Sequence, residues 1–253
     1  MTAGKSKILV EVCVDSVASA IAAARGGASR VELCSSLIEG GVTPSAGLTE
    51  TARASVSLPV HVMIRPRAGD FCYDEYEFET MRRDIDLAKR LRAEGVVLGI
   101  LTVDGQVDIP RTQQLVLLAR PLTVTFHRAF DMTANLFRAL EDLCSIGVDR
   151  VLTSGGEQTC LLGSRTIAQL VEKSHGRIVV MPGSGIKPEN ARELIQQTSA
   201  KEIHVGLRSA ASSPMQFRNP RVSMGSLKEH EYERSQVLEE DVRKLCAALI
   251  ELD

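Results

Sequence analysis

Two carboxylate-thiol pairs with the same spacing are the first residues in this sequence that could do chemistry. Glu11 and Cys13 lie two positions apart in the apolar run VEVCV, and Glu32 and Cys34 repeat the pattern in VELC. If both runs are β-strands, each run turns its carboxylate and its thiol to the same side. Thiolates select Cu(I) or Zn among biological metals, and two sulfurs without a neighbouring histidine-rich cluster favour Cu(I). The repeat therefore predicts a metal site at Cys13 and Cys34. The alternative is that both cysteines are small buried residues of an ordinary hydrophobic core, which would produce the same sequence pattern.

A second group of polar residues could serve acid-base catalysis. Arg65 follows an apolar run in VMIRPR, and His127 and Asp131 lie together in TFHRAFD. An imidazole can exchange protons near neutral pH, and we expect the Asp131 carboxylate to orient the His127 ring. With Glu11 and Glu32, these three residues would supply the acid-base groups and the oxyanion clamp of an enzyme.

Two glycine-rich loops could bind an anion through their backbone N–H groups. The first is TSGGEQ, and the second is MPGSGIKPEN, which leads into a predicted helix. Such loops often hold phosphate or carboxylate groups, although the same glycines could simply make tight turns. The candidate anion-binding residues are Ser154, Gly155, Gly156, Gly183, Ser184 and Gly185.

Eight predicted strands must position these residues. Short β-branched runs alternate with amphipathic helical stretches along the chain. This order predicts an α/β fold with a parallel sheet, and eight repeats favour a (β/α)8 TIM barrel. The alternative is an open doubly wound sheet, which would want a Gly-x-Gly-x-x-Gly motif that EVCVDSVAS lacks. The predicted strands span residues 8–13, 30–34, 60–65, 95–100, 123–128, 149–154, 177–182 and 202–207.

Strand alternation predicts that many polar side chains point into this barrel. Val and Ile residues take the helix side, and the intervening positions face inward. A barrel interior is normally apolar, and a buried carboxylate is costly unless it is paired. The polar set therefore indicates a functional site at the carboxyl ends of the strands, while His61, near the start of its strand, is expected to be structural. The inward set is Glu11, Cys13, Glu32, Cys34, His61, Met63, Arg65, Thr125, His127 and His204.

Local signals predict the helix boundaries. Asp15 is expected to cap the first helix, and Pro188 to occupy the first turn of PENARELIQQ. Gly95 and Gly147 are expected at helix C-termini. A stripe of leucine and valine predicts a last helix at 238–252.

The chain is expected to form one domain over residues 8–253, after a disordered tail at residues 1–7. About thirty residues separate the eighth strand from the last helix, and such long connections are usually functional or disordered. We expect this segment, at about 208–236, to be a loop or an arm that covers the barrel or contacts another subunit.

Composition excludes several classes of protein. The chain has 253 residues with a formal net charge of −2, which argues against nucleic acid or an acidic membrane as the main partner. No run approaches the roughly 20 apolar residues of a membrane span, and MTAGKSK has no secretion-signal core behind it. The six cysteines include no Cys-x-x-Cys pair, so free thiols in a reducing compartment are expected.

Taken together, the motifs resemble the CutC copper-homeostasis family over nearly the whole chain from residue 8. The resemblance is carried by EVCVDSVASA, ARGGASRVELCSSLIEGGVTPS, VMIRPRAGDF, LTVDGQVD, VTFHRAFDM, RVLTSGGEQT, VVMPGSGI and FRNPRVSMG. It implies a (β/α)8 barrel, a cytoplasmic setting that in animals extends to the nucleus, and a homo-oligomer, a dimer or tetramer. It also implies a role in copper handling, with Cu(I) bound at Cys13 and Cys34.

Two functional hypotheses follow. In the first, the protein binds about one Cu(I) per chain and buffers or transfers it. In the second, it is an enzyme acting on a small anionic metabolite, phosphorylated or carboxylated, because a copper label alone does not explain the glutamates, Arg65 and His127. A purely structural oligomer is the least favoured alternative, since the predicted interior is polar.

Overall fold

Eight parallel strands form a nearly closed barrel in the computed structural model, which describes residues 7–224 and 231–250. Neighbouring strands pair in chain order, β1 also pairs with β8, and a single parallel bridge between Gly183 and His204 joins the last two strands. The strands are β1 Leu9–Val14, β2 Arg30–Leu33, β3 Val60–Met63, β4 Gly95–Leu98, β5 Thr123–Phe126, β6 Arg150–Thr153, β7 Val179–Pro182 and β8 Glu202–Val205. The TIM barrel prediction is confirmed.

Helices on the outside of the barrel follow the strands. They are α1 Val17–Gly26, α2 Ala46–Ser55, α3 Glu75–Arg90, α4 Ile109–Ala119, α5 Leu136–Ser145, α6 Ser164–Ser174, α7 Pro188–Thr198 and α8 Glu239–Ile250. Among the helices within the described ranges, none combines the length and the hydropathy that crossing a membrane requires.

The strand side chains alternate as predicted. Residues such as Val10, Val12 and Leu33 are buried in the large apolar layer between the sheet and the helices. Cys13 and Cys34 lie instead in a small separate cluster with Met63 and Val97 inside the barrel. The alternation therefore sends one face of each strand to the helices and the other to a shared interior.

Two boundary predictions are wrong. Ser16, not Asp15, caps α1, because the Ser16 hydroxyl is next to the first helical residue and accepts a hydrogen bond from Ser19 N–H at 3.2 Å. Gly95 does not end a helix but begins β4, where a Cβ would lie 2.6 Å from the His61 ring. Glycine at this position therefore makes room for a buried imidazole.

The segment between β8 and α8 contains a two-stranded ribbon that the sequence pattern did not predict. Strands β9 Arg208–Ser212 and β10 Glu233–Val237 pair antiparallel. Val237 N–H donates to the hydroxyl of Ser19 at 3.1 Å, so the ribbon is fastened to α1. Residues 225–230, within the predicted arm, and residues 1–6 of the predicted tail lie outside the described ranges.

Candidate metal centre and barrel mouth

The two cysteines of the repeated motif face each other at the carboxyl ends of β1 and β2. Cys13 is paired in register with Glu32, and Cys34 follows the last residue of β2. Their sulfur atoms are 3.8 Å apart, and both thiols are free. A disulfide needs about 2.05 Å between its sulfurs. The distance therefore suits two sulfurs that share one proton or one ion.

Glu32 and His204 complete a four-residue cluster around these sulfurs. The ligand atoms of Cys13, Glu32 and His204 all lie within 4.8 Å of one another. The Cys34 sulfur is 3.4 Å from Glu32 Oε2. The sequence predicted that His204 points inward but did not assign it to the site. Its signal was the alternation of EIHVGL, which turns the histidine between Ile203 and Val205 into the barrel.

Electrostatics favour a thiolate at Cys13. The hydrogen bond from Cys34 and the adjacent His204 outweigh burial and lower the pKa of Cys13 to about 5. The same hydrogen bond raises the pKa of Cys34 well above its ordinary value, since Cys34 holds the shared proton. Burial raises the pKa of Glu32, and the Cys13 thiolate raises it further. Burial alone would lower the pKa of His204, but the Glu32 and Glu11 carboxyl groups and Cys13 raise it.

The donors present fit a thiophilic metal ion. Cys13 and Cys34 offer two sulfurs, which select Cu(I) or Zn. Glu32 Oε1 is buried without a hydrogen-bond partner among the described residues, and an orphaned buried acceptor is costly. His204 Nε2 is 3.9 Å from the other Glu32 oxygen. The cluster therefore contains two soft ligands with an imidazole and a carboxyl group beside them.

Below this cluster, Glu11 belongs to a buried ion network rather than to the mouth. Its Oε2 accepts from Arg30 Nε at 2.5 Å, and its Oε1 is 2.7 Å from His204 Nδ1. Glu202 accepts hydrogen bonds from Arg30 and from Arg150, whose Nε is 2.6 Å from Glu202 Oε2. Arg30, His204 and His61 outweigh burial and hold the pKa of Glu11 well below its usual range. Glu11, predicted as an acid-base group, thus fixes the ring of His204 from below.

Arg65 clamps two loops at the rim. Its guanidinium donates to the backbone carbonyl oxygens of Glu39 and Gly41 at 2.8 Å, and to that of Gly69 at 2.9 Å. Its Nε is buried and donates to no described residue. Arg65 therefore holds the loop after β2 against the loop after β3 and keeps one donor free.

His127 presents one ring nitrogen to the backbone and leaves the other without a partner. Nδ1 accepts a hydrogen bond from Ala129 N–H at 3.1 Å. Nε2 is buried and has no hydrogen-bond partner among the described residues. Burial and the charge of Arg65 lower the pKa of His127 to about 3. The ring is therefore neutral at pH 7, and since Nδ1 is the acceptor, Nε2 carries the hydrogen.

Asp131 does not orient the His127 ring as the sequence predicted. Its carboxylate accepts from the hydroxyl of Thr153 at 2.5 Å, from the N–H groups of Ser154 and Gly156, and from Arg128. The reason is the 3-10 helix Arg128–Met132, which turns Asp131 towards the end of β6. The N–H groups of the first glycine-rich loop are thus already used. The remaining N–H group of this loop, that of Gly155, donates to the Thr153 hydroxyl.

The second glycine-rich loop lies at the edge of the mouth. Gly183 N–H is bound to the Thr153 carbonyl oxygen, which joins the end of β7 to β6. Ser184 and Gly185 have φ values of +85° and +77°, and the Ser184 hydroxyl donates to the carbonyl oxygen of Gln158. A positive φ is unfavourable for serine, and this hydrogen bond helps to hold the turn.

A cavity of about 500 Å³ connects these groups at the carboxyl ends of the strands. It brings together residues from both predicted sets, while Cys34 is fully buried behind Cys13. Glu11, Asp131, Ser154, Gly155, Gly156 and Gly183 do not line it. The lining includes Cys13, Glu32, Arg65, His127, Ser184 and His204.

Comparison with known proteins agrees with the motifs. A model of the CutC family matches residues 8–209. The chain is 52% identical over 225 residues to the copper homeostasis protein cutC homolog of Mus musculus, a match that covers 88% of this chain and 83% of the relative. It is 51% identical over 218 residues to the Homo sapiens homolog, covering 86% and 80%.

A solved structure gives the same result at the level of the fold. The chain superposes with a TM-score of 0.75, at 34% identity, on a crystal structure from Streptococcus agalactiae that is named as the copper homeostasis protein CutC. The match covers 78% of this chain and 98% of that one. Fold, motifs and sequence identity agree over most of the chain, and the chain therefore belongs to the CutC family.

Proposed function

We propose that this protein binds one Cu(I) ion per chain between Cys13 and Cys34. The observation that carries the proposal is the 3.8 Å separation of two free sulfurs inside the barrel. The names of the mouse and human relatives, copper homeostasis protein cutC homolog, support copper as the cargo.

Charge balance in the buried cluster favours a monovalent ion. Cys13 is a thiolate at neutral pH and Cys34 keeps its proton, as their opposite pKa shifts indicate. Metal ligation by cysteine requires the thiolate, so binding releases the proton of Cys34. Exchange of one proton for Cu(I) leaves the net charge of the cluster unchanged. A divalent ion would do so only if Glu32 also lost its proton.

His204 and Glu32 assist the two sulfurs in this proposal. His204 stays in place because Glu11 lies 2.7 Å from its Nδ1, and its positive charge stabilises the Cys13 thiolate before the ion arrives. Glu32 Oε2 lies 3.4 Å from the Cys34 sulfur, so the carboxyl group borders both sulfurs of the site.

Anaerobic titration of the protein with Cu(I) in competition with a chromogenic chelator tests the proposal. We expect about one tightly bound Cu(I) per chain in the wild type and its loss in the double variant Cys13→Ser plus Cys34→Ser. The matched control is Cys72→Ser plus Cys144→Ser, whose thiols lie outside the barrel interior and are not expected to matter. Retention of wild-type affinity by the Cys13 and Cys34 double variant would contradict the proposal, and so would a preference for Zn(II) over Cu(I).

We further propose that copper is buffered or transferred in the cytoplasm, and in animals also in the nucleus, by a homo-oligomer, a dimer or tetramer. Exposed apolar side chains on the segment after β9 support association: Met215, Phe217, Val222 and Met224. Light scattering coupled to size-exclusion chromatography measures the number of chains. A monomer at micromolar concentration would contradict the assembly.

A second candidate function is catalysis on a small anionic metabolite. The observation that favours it is the cavity of about 500 Å³, which is within the usual range for small-molecule sites and has Arg65 and His127 in its lining. Turnover itself would be tested by screening carboxylated and phosphorylated metabolites for consumption by the purified protein.

A further inference from the structure

Three side chains on β1 and β8 form a sequence of polar contacts that ends at a sulfur. Glu11 and His204 are paired in register across the two strands, and Glu11 Oε1 lies 2.7 Å from His204 Nδ1. Cys13 follows Glu11 by two positions and therefore points to the same face of β1. A ring nitrogen of His204 lies within 4.8 Å of the Cys13 sulfur. The order carboxylate, imidazole, thiol is that of a nucleophilic catalytic triad.

The three residues differ in their access to the cavity as nucleophilic catalysis requires. Cys13 and His204 line the cavity of about 500 Å³ at the strand ends, and the side chain of His204 is 12% exposed. Glu11 is fully buried and does not line that cavity. A small substrate in the cavity can therefore reach the nucleophile and the imidazole, while the carboxylate stays behind the ring.

The imidazole of His204 is held in one orientation. Glu11 occupies Nδ1, and the other oxygen of Glu11 accepts from Arg30 Nε at 2.5 Å, so the carboxylate is itself fixed. Only Nε2 is then left to exchange a proton with the thiol. Nε2 is 3.9 Å from Glu32 Oε2, which is too far for a hydrogen bond. The ring therefore turns one nitrogen to its buried partner and keeps the other for proton transfer.

We propose that Cys13, His204 and Glu11 form a catalytic triad that hydrolyses short acyl esters. Cys13 and His204 are the catalytic residues, and Glu11 is a positioning residue that acts through the imidazole. The activity goes beyond copper binding and does not depend on it, so the copper titration and an esterase assay can fail independently. Cu(I) bound to Cys13 would occupy the nucleophile, and the two functions therefore exclude each other.

The reaction takes place in two balanced steps. In the first, the Cys13 sulfur attacks the ester carbonyl carbon, a C–S bond forms, the C–O bond to the leaving group breaks, and the thiol proton passes through His204 Nε2 to the leaving alcohol. In the second, His204 Nε2 takes a proton from water, the water oxygen attacks the thioester, the C–S bond breaks and the carboxylic acid leaves. The proton on His204 then returns to the sulfur, and water is the only co-reactant.

The cavity wall beside the nucleophile limits the acyl group. Met63 belongs to the small apolar cluster that contains Cys13, and Leu37 packs against this cluster. Both side chains also line the cavity. Apolar walls suit an aliphatic acyl chain, and a cavity of about 500 Å³ has room for a few carbon atoms beside the leaving group. The substrate is therefore expected to be an ester of a short aliphatic acid.

Rapid mixing with 4-nitrophenyl acetate tests the triad, in a Cys72→Ser background that removes an exposed thiol. We expect a burst of about one 4-nitrophenolate per chain followed by steady turnover, with the acetyl group found on the Cys13 peptide by mass spectrometry. Cys13→Ser should abolish the burst, while the matched control Cys144→Ser should keep it. The proposal is overturned if no burst appears, or if release stops after one equivalent, since Cys13 would then be a reactive thiol without catalysis.

Substitution of His204 tests whether the imidazole acts in catalysis. His204→Gln removes the base that activates water, so kcat should fall by roughly a hundredfold or more and acetyl-Cys13 should accumulate. An unchanged kcat would overturn the proposal.

Substitution of Glu11 tests the positioning role. Glu11→Gln keeps the shape of the side chain but removes its charge, and it should lower kcat at least about tenfold while KM stays within about twofold. An equal kcat in this variant and the wild type would overturn the triad.

Alkylation of the folded protein keeps the proposal testable if the variants do not fold. Iodoacetamide-treated protein of the Cys72→Ser background, with the label confirmed on Cys13 by mass spectrometry, should lose both the burst and the turnover. Full turnover by the labelled protein would overturn the assignment of Cys13 as the nucleophile.

Discussion

The reactivity of Cys13 can be predicted in detail from its surroundings. The pKa of this thiol, about 5, lies far below the ordinary value of 9.0 given for an isolated cysteine. At pH 6 about 90% of Cys13 is therefore thiolate, compared with about 0.1% of an ordinary thiol. The alkylation rate rises by a smaller factor, about tenfold, because a thiolate of low pKa is also a weaker nucleophile. The position of the inflection on the pH axis is thus the informative quantity.

Substitution of His204 tests whether this residue lowers the pKa of Cys13. Its ligand nitrogen lies within 4.8 Å of the Cys13 sulfur, where two unit charges interact by about 3.5 kcal/mol at an effective dielectric constant of 20. At about 1.36 kcal/mol for each pKa unit, His204→Gln should raise the pKa of Cys13 by about 2.5 units. Cys34 continues to donate its hydrogen bond, so the pKa should not return fully to the ordinary value.

The assay is labelling with iodoacetamide from pH 4 to 9, with mass spectrometry of the Cys13 peptide in a Cys72→Ser background. Cys13 lines the cavity and is within reach of a small reagent, while the fully buried Cys34 is an internal control that should stay unlabelled. We expect inflections near pH 5 in the wild type and about pH 7.5 in His204→Gln. A wild-type inflection near pH 9, or no change in the variant, would contradict a thiolate at Cys13 that His204 stabilises.

Three further predictions concern stability. Gly99→Ala places a methyl group 2.6 Å from the His127 ring and should lower the free energy of unfolding, measured by urea titration, by about 1–3 kcal/mol. The matched control is Gly47→Ala in α2, where the new methyl group meets open space. It should raise the free energy of unfolding by up to about 1 kcal/mol. Glu202→Gln leaves two buried arginines short of a partner and should cost about 3–5 kcal/mol; a loss below 1 kcal/mol would contradict the buried network. His127 and His61 have folded-state pKa values of about 3 and 4, below the ordinary 6.5, so the unfolded chain binds more protons below pH 6.5 and stability falls on acidification. Between pH 6 and 4.5, His127→Gln should reduce this slope by about 1.4 kcal/mol per pH unit, and an unchanged slope would refute the assignment.

Most of the fold could be predicted because the chain repeats one simple pattern. Each strand carries β-branched residues at alternate positions. In a (β/α)8 barrel these residues face the outer helices, and the intervening residues face the shared interior. The approach of Cys13 to Cys34 follows from the same rule, because adjacent parallel strands lie about 4.8 Å apart. Local capping was less predictable, since Asp15 and Ser16 are both good N-caps and only the start of the helix selects one.

The floor of the barrel could not be predicted from the strand pattern. Arg30, Arg150 and Glu202 each begin a strand, where a charged residue normally signals the edge of a loop. They are buried because their partners come from strands that are distant in sequence, as in the pair Arg150–Glu202. Sequence spacing carries no information about such ion pairs, because they form only when the strands assemble into the closed barrel.

The roles of individual mouth residues were equally dependent on the closed structure. Asp131 lies four residues after His127, yet its carboxylate is taken by the loop after β6. His204 lies far along the chain from Cys13, yet, after the hydrogen bond from Cys34, it helps to lower the pKa of that thiol. Proximity in sequence predicted the first pairing wrongly, and distance in sequence hid the second.

X-ray absorption spectroscopy of the Cu(I)-loaded protein identifies the atoms that bind the ion. We expect sulfur to dominate the first coordination shell, with two sulfur atoms per copper in the wild type and their loss in the Cys13→Ser plus Cys34→Ser variant. A first shell made only of nitrogen and oxygen atoms, or an unchanged sulfur shell in the double variant, would contradict the claim that these two strand ends hold the ion.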